Sequence, residues 1–151
     1  MEIIELDVTD PKTIEKSFEI VKGKIENLDL LINNAAILGD KIHDSMLNLT
    51  VSDFTNLFNV NVCGVFSVTN TFLPLLKRKD SKPVVLNISS DMSSISLVPQ
   101  LKPGHIPYKV SKCALNMLNK NYALEFGDQC TFICMHPGWL DTGKFFFFFL
   151  E

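Results

Sequence analysis

The sequence predicts an α/β fold built on a parallel sheet, and two observations support that prediction. Short apolar segments of strand length alternate with longer segments of helical spacing, in the order β-α-β-α-β-α-β. Polar or turn-forming residues stand where each predicted strand ends, which is where open α/β sheets bind their ligands. We therefore expect one α/β domain over residues 1–144, followed by an atypical Phe-rich tail at 145–151.

Four strands are predicted near residues 2–6, 28–34, 83–89 and 130–136. The second begins a continuous apolar run, LDLLINNAA, that ends in two asparagines, as is typical of a buried strand in a parallel sheet. The fourth stops at a Pro-Gly turn. We expect all four strands to be parallel, with the last three adjacent in their order of appearance.

Three helices are predicted between these strands. The first begins at Pro11, with Asp10 as its N-terminal cap. The second, residues 51–78, is long and apolar on nearly all sides, and the third covers residues 107–127. Helices in these positions would connect parallel strands and cover the sheet.

Composition limits the partners that the protein is expected to have. The 151 residues carry a net charge of −3, with 46% hydrophobic and 21% charged residues, which is the profile of a folded globular domain. The sequence lacks a strongly basic region and an apolar run of about 18 residues, so neither nucleic acid nor a membrane is expected as a partner. The start of the chain does not resemble a signal peptide, and a cytoplasmic location is expected.

Cysteines and histidines give no sign of a metal site. The four cysteines form no CxxC pair, and the three histidines are widely spaced. We expect buried free thiols, which suit a reducing compartment, and histidines that are structural or exposed. No metal is predicted.

Tyr108 and Lys112 are the first candidates for chemistry. They stand four positions apart at the start of the third predicted helix, so their side chains would share one face. A free tyrosine has a pKa near ~10, and a neighbouring ammonium group would lower it. Tyr108 could then give a proton to a carbonyl oxygen. The alternative is that both side chains belong to a solvated helix face.

Six short motifs occur in order along the chain, each on the expected element: LDVTD, NNAA, NVNVCG, NISS, YKVSK and PGWLDT. Because of these motifs, residues 1–144 resemble the short-chain dehydrogenase/reductase family, and the HPGW motif is most similar to that of its carbonyl-reductase and C-factor branch. The resemblance implies a partial Rossmann fold, a doubly wound parallel sheet that lacks the first two strands and the C-terminal strand.

The resemblance also implies a function and four catalytic residues. The function is NAD(P)-dependent oxidoreduction, in which hydride moves between a nicotinamide and a small carbonyl or alcohol substrate. Tyr108 would be the proton donor and Lys112 would hold the nicotinamide ribose. Ser90 would bind the substrate oxygen and Asn61 would anchor a water molecule. Two neighbours remain alternatives at this stage, since Ser89 competes with Ser90 and Asn59 with Asn61.

The cofactor, NADP or NAD, is likewise implied by the resemblance. Its expected contacts are Asp7, Val8, Asn34, Ala35, Tyr108, Lys112, Pro137, Gly138, Leu140 and Thr142. Asp7 and Val8 would meet the adenine, and Thr142 would meet the nicotinamide carboxamide.

The sequence departs from the family pattern in three ways. Ala36 replaces a glycine, and the loop between Ser90 and Tyr108 carries an insertion. The family's TGxxxGIG phosphate loop does not occur in these 151 residues. We therefore expect these residues alone to show no measurable reductase activity. The alternative function is that of a truncated, non-catalytic homologue, which could associate into a homo-oligomer through helices 51–78 and 107–127.

Overall fold

The computed structural model describes residues 2–40, 45–76, 81–101 and 103–138, and within them three strands form one sheet. The strands are β1 (Leu30–Asn33), β2 (Val84–Ile88) and β3 (Thr131–Met135). They are parallel and adjacent in the order β1-β2-β3, which confirms the prediction for the last three strands.

Four α-helices accompany the sheet: α1 (Pro11–Lys22), α2 (Val51–Phe58), α3 (Val65–Phe72) and α4 (Ile106–Phe126). Asp10 caps α1, since its side chain accepts from the Lys12 amide. The predicted helix 51–78 is interrupted by a π-helical segment, Asn59–Gly64, between α2 and α3. This wider turn separates two α-helices where the sequence pattern indicates one.

The strand predicted at residues 2–6 is wrong. These residues form no strand, and the Ile3 side chain is 77% exposed. A strand is stabilised by hydrogen bonds to a neighbouring strand, and no described strand lies beside this segment. The backbone turns towards α1 instead, and the Asp7 amide donates to the Thr13 hydroxyl.

Two apolar clusters hold the helices against the sheet. The first is centred on Ile14 of α1, with Val68 and Phe72 of α3 packed around it. The second joins Val85 of β2 to Leu76 and Cys130 at the amino ends of the strands. Burial of these side chains fixes the strand positions at one end and leaves the carboxyl ends open to form a cleft.

The two faces of the sheet are covered unequally. Asn33, Asn87 and Cys134 are neighbours across β1, β2 and β3, on the face that α3 and α4 cover. On the opposite face of β3, Ile133 and Met135 are each 41% exposed. The described sheet is thus packed by helices on one face only.

The structure also describes the four cysteines and the length and polarity of the helices. All four cysteines are free, as predicted, but Cys63 is exposed rather than buried. Of the helices that the structure describes, none combines the length and the apolar character needed to span a bilayer.

Candidate active site

A cleft of about 400 Å³ opens at the carboxyl ends of the strands. Four segments of the chain line it, namely residues 36–38, residues 88–92, the start of α4 and residues 136–138. Tyr108, Lys112 and Ser90 all lie in its wall. The sheet topology brings these side chains together, since the carboxyl ends of parallel strands share one edge.

Tyr108 projects from the first turn of α4. The helix begins at Ile106, with Pro107 in its first turn and His105 in a left-handed conformation (φ 53°) immediately before it. The Tyr108 hydroxyl lies beside the Ser90 side chain. Burial raises the pKa of Tyr108 above its ordinary value, the polar side chain of Ser90 opposes that rise, and the charge of Asp91 adds to it.

Lys112 lies one turn further along α4 and is 2% exposed. Its Nζ donates to the Ile88 carbonyl oxygen at 2.7 Å and lies 5.8 Å from the centre of the Tyr108 ring. Burial lowers the pKa of Lys112 to about 8, and the Cys134 thiol opposes this shift. Burial likewise raises the pKa of Cys134 to about 11, an effect that the ammonium group of Lys112 reduces.

The expectation that Lys112 lowers the pKa of Tyr108 is wrong for this structure. The pKa of Tyr108 is raised, and burial is the largest cause. The Lys112 ammonium donates to a strand carbonyl, and it lies 5.8 Å from the centre of the tyrosine ring. Desolvation of the phenolate therefore dominates, and Tyr108 stays protonated at neutral pH.

The structure distinguishes the two serines. The Ser90 side chain lies beside Tyr108, whereas Ser89 Oγ is buried and donates to Asn116 Oδ1 at 2.7 Å. Successive residues of an extended chain point to opposite sides, so the two hydroxyls diverge although both residues line the cleft. Ser90 also caps a short 3-10 helix, because its Oγ accepts from the Met92 amide at 3.2 Å.

Asn61 is fully buried in the π-helical segment, whereas Asn59 is exposed. The Asn61 side chain accepts from the Ile37 amide and donates to the Ile37 carbonyl, both at 2.9 Å, and it donates to Ser111 Oγ at 3.1 Å. Its amide group does not line the cleft. It fixes the backbone of Ile37, which does line the cleft, so the side chain acts through the loop after β1.

Four expected cofactor contacts lie before α1 and directly after β1. The Asp7 side chain is exposed and accepts from the Thr9 amide and hydroxyl, and these hydrogen bonds lower the pKa of Asp7. Val8 packs against Gly64, where an added Cβ would come within 2.8 Å of the Val8 side chain. Asn34 is half-buried and Ala35 is exposed.

Pro137 and Gly138 line the cleft after β3. Gly138 has a positive φ of 84°, a conformation that favours glycine, and an added Cβ would meet no atom within 4 Å. The turn thus leaves open space beside Lys112 and Tyr108. Leu140 and Thr142, the other predicted contacts on this segment, lie outside the described residues.

The sequence analysis missed three further side chains of the cleft, those of Asp91, His105 and His136. His136 Nε2 lies 3.8 Å from Asp91 Oδ2. The sequence analysis interpreted His105 and His136 as structural or exposed and did not predict that they line the cleft. Asp91 could have been found from its position directly after Ser90, whereas the two histidines depend on the turns that precede α4 and follow β3.

A half-buried amide, that of Asn116, supports the serine segment from α4. Asn116 accepts from Ser89 Oγ and donates to Ser93 Oγ, both at 2.7 Å. The Ser93 hydroxyl in turn donates to the Ser90 carbonyl oxygen. Asn116 therefore holds the backbone on both sides of Ser90, and it lies one turn beyond Lys112 on the same face of α4.

Comparisons with known proteins agree with this fold. A family model described as short chain dehydrogenase matches residues 1–145. The chain is 30% identical over 142 residues to a 3-oxoacyl-[acyl-carrier-protein] reductase, FabG, of Buchnera aphidicola, covering 93% of this chain and 54% of that protein. It is 34% identical over 141 residues to the short-chain dehydrogenase/reductase AacuF of Aspergillus aculeatus, covering 87% of this chain and 53% of that protein.

Among solved structures, the NADPH-bound carbonyl reductase from chicken fatty liver superposes with a TM-score of 0.80 at 32% identity, covering 93% of this chain and 58% of that one. The fold is accordingly a Rossmann-like α/β fold. The chain belongs to the short-chain dehydrogenase family of oxidoreductases. It spans about half the length of the curated relatives it matches.

Proposed function

We propose that this protein is an NAD(P)-dependent reductase of small carbonyl compounds, of the carbonyl-reductase type and cytoplasmic, with Ser90, Tyr108 and Lys112 as its catalytic residues. The observation that carries the proposal is that the side chains of Ser90 and Tyr108 lie together in one open cleft, beside the buried ammonium group of Lys112. A hydroxyl pair next to a cation suits the transfer of a proton to a carbonyl oxygen.

Tyr108 is protonated at neutral pH, as a proton donor in the reductive direction must be. The phenol keeps its proton at neutral pH and can donate it to a carbonyl oxygen that becomes negative as hydride arrives. The Ser90 hydroxyl, which donates to Asp91 Oδ1 in the structure, would turn to donate to the same oxygen. Lys112 would then stabilise the phenolate that Tyr108 becomes, since an opposite charge nearby favours the ionised form.

The residues present fit the nicotinamide end of a dinucleotide. Lys112 has three N–H donors, and one of them is used on the Ile88 carbonyl, so donors remain for ribose hydroxyls. Gly138 leaves room beside them. When bound, the nicotinamide supplies the hydride. A TGxxxGIG loop for the phosphates does not occur in the 151 residues, so we expect weak nucleotide binding by these residues alone.

The test is an assay of NADH- and NADPH-dependent reduction at millimolar cofactor, with a panel of aldehydes, ketones and quinones. Tyr108→Phe should lower kcat by about 100-fold or more, because the proton donor is lost. Tyr122→Phe is the matched control, since it removes a hydroxyl from the same helix outside the cleft, where Tyr122 donates to Asn70 Oδ1 at 2.7 Å. Turnover that survives in Tyr108→Phe would contradict the proposal.

A second candidate function, non-catalytic association, is favoured by the outer face of α4. Val110, Met117 and Leu124, seven residues apart and therefore on one face of the helix, are all exposed. Phe66 of α3 is exposed as well. A homo-oligomer through helices 51–78 and 107–127 would cover these side chains. Sedimentation analysis should then show dimers or larger species that Met117→Lys converts to monomers; a monomeric wild type would exclude this role.

A further inference from the structure

Asp91 is a carboxylate in the wall of the cleft that the proposed reaction does not use. It follows Ser90 directly, and its Oδ1 accepts from Ser90 Oγ at 3.1 Å. Its side chain is 25% exposed, so a molecule in the cleft can reach it. The carboxylate therefore lies one hydrogen bond away from the hydroxyl that would hold the substrate oxygen.

The second oxygen of Asp91 is available to a ligand. Oδ2 lies 3.8 Å from His136 Nε2, which is too long for a hydrogen bond. Within the described residues, the Asp91 side chain has one hydrogen bond, and it is made through Oδ1. An ionised carboxylate accepts several hydrogen bonds, so Oδ2 can receive an O–H or N–H donor from a bound molecule.

Asp91 is the carboxylate of the described lining of the cleft. The other ionisable side chains of that lining are those of His105, Tyr108, Lys112 and His136. Lys112 is 2% exposed and donates to a strand carbonyl, and the phenol of Tyr108 is neutral at pH 7. The Asp91 side chain is 25% exposed, far more than Lys112, and its field is weakly screened in a partly buried site.

We propose that Asp91 determines substrate specificity, by favouring carbonyl compounds that carry a hydroxyl or ammonium group next to the carbonyl and by disfavouring those that carry a carboxylate there. The inference rests on the proposed reductase function. The carbonyl oxygen would bind at Ser90 and Tyr108, and the adjacent donor would bind Asp91 Oδ2. A carboxylate in the same place would be repelled by the charge of Asp91.

The experiment compares four ketones on one scaffold: acetophenone, phenacyl alcohol, phenacylamine and benzoylformate. Both kcat/KM with NADH and NADPH and, without turnover, binding by ligand-observed NMR are measured for the wild type and for Asp91→Asn. The variant keeps an oxygen for Ser90 and removes the charge. Asp128→Asn is the matched control, because Asp128 is an exposed residue in the turn at the other end of α4.

In the wild type, phenacylamine and phenacyl alcohol should be preferred to acetophenone, and benzoylformate should be the poorest ligand. Asp91→Asn should reduce the preference for phenacylamine over benzoylformate by about 10- to 100-fold, as expected for one charge-assisted hydrogen bond. Asp91→Glu should retain it, and Asp128→Asn should leave it unchanged. If Asp91→Asn loses its cooperative unfolding transition, Asp91→Ser takes its place.

The two readouts separate this inference from the reductase proposal. Selective binding that Asp91→Asn abolishes, without turnover by the wild type, would support the inference while the reductase proposal fails. Turnover with the same selectivity in wild type and Asp91→Asn would overturn the inference and leave the reductase in place, with Asp91 serving only to hold Ser90. If none of the four ketones binds, the inference is overturned.

Discussion

The two faces of the three-stranded sheet differ in what their side chains contact. On the face under α3 and α4, Asn33 donates to Thr69 Oγ1 and to Asn87 Oδ1, and Asn87 donates to Asn119 Oδ1 at 2.8 Å. On the opposite face, alternate residues of β3 are exposed apolar side chains. Polar side chains are thus buried and satisfied on one face, while apolar side chains meet solvent on the other.

The difference explains where the candidate site lies. Buried amides are costly unless they are hydrogen-bonded, and once bonded they fix strands and helices in one register. A second set of hydrogen bonds beneath α4, made by Asn116, holds the serine segment. We infer that the covered face holds the positions of Ser90, Tyr108 and Lys112, and that the exposed face contributes little to them. Four predictions test this comparison.

The largest effect is expected for Asn87→Leu. The substitution leaves Asn33 with one partner fewer and removes the donor to Asn119 in a buried region. The free energy of unfolding should fall by about 2–4 kcal/mol, measured by urea denaturation. A loss as small as that of a surface substitution would show that the network is solvated and would remove the contrast between the faces.

Lys112→Met should raise the free energy of unfolding, whereas Asn87→Leu lowers it. Burial lowers the pKa of Lys112 from 10.5 to about 8, so the charged side chain destabilises the folded state at pH 7. The variant should gain about 1–2 kcal/mol, after allowance for the hydrogen bond lost at the Ile88 carbonyl, while the proposed activity is lost.

The pH dependence of the Lys112 effect follows from the sign of the shift. Between pH 8 and 10.5 the unfolded chain binds more protons at this residue than the folded chain. The free energy of unfolding of the wild type therefore rises with pH relative to that of the variant. The advantage of the variant should be constant below pH 8, and it should fall to zero and reverse in sign before about pH 10.5, because the wild type then regains the whole cost of the shift. Lys120→Met, at an exposed position of α4, is the control; an advantage that does not change with pH would contradict the burial argument.

Asn116→Leu should have a moderate effect on stability and a specific effect on the site. It removes the hydrogen bonds to Ser89 and Ser93, and stability should fall by about 1 kcal/mol. Because Ser93 holds the Ser90 carbonyl, we expect kcat of the proposed reaction to fall more than KM changes. Asn121→Leu, on an exposed turn of the same helix, should change neither the stability nor kcat. Equal kinetics in the two variants would show that Asn116 does not position Ser90.

The fold was predictable wherever the signal is local. Helix α1 follows from Asp10 and Pro11, and the three paired strands follow from short apolar runs bounded by turns. Residues 2–6 have the same local pattern but form no strand, because a strand also needs a neighbour that the pattern does not specify. The π-helical segment was not visible either, since its residues have ordinary helical spacing.

The site was predictable to the same extent. Helical spacing places Tyr108 beside Lys112, and alternation separates Ser90 from Ser89. The pKa of Tyr108 was predicted with the wrong sign, because burial is a property of the assembled cleft. His136 reaches Asp91 only through the register of β3 beside β2, which cannot be derived from either segment alone.

The smallest effect is expected for Ile133→Thr, on the exposed face of β3. Ile133 is 41% exposed, and threonine keeps the β-branched shape that suits a strand, so only a small apolar area is lost. The free energy of unfolding should change by about 0.5 kcal/mol or less, in the same urea experiment as Asn87→Leu. A loss of about 2 kcal/mol would mean that this face is covered in solution. Repeating the measurement over a wide range of protein concentration then identifies the cover: a loss that grows with concentration indicates a second copy of the chain, and a constant loss indicates a segment of the same chain. In either case the asymmetry between the faces would not hold, and the support of Ser90, Tyr108 and Lys112 would have to be sought on both sides of the sheet.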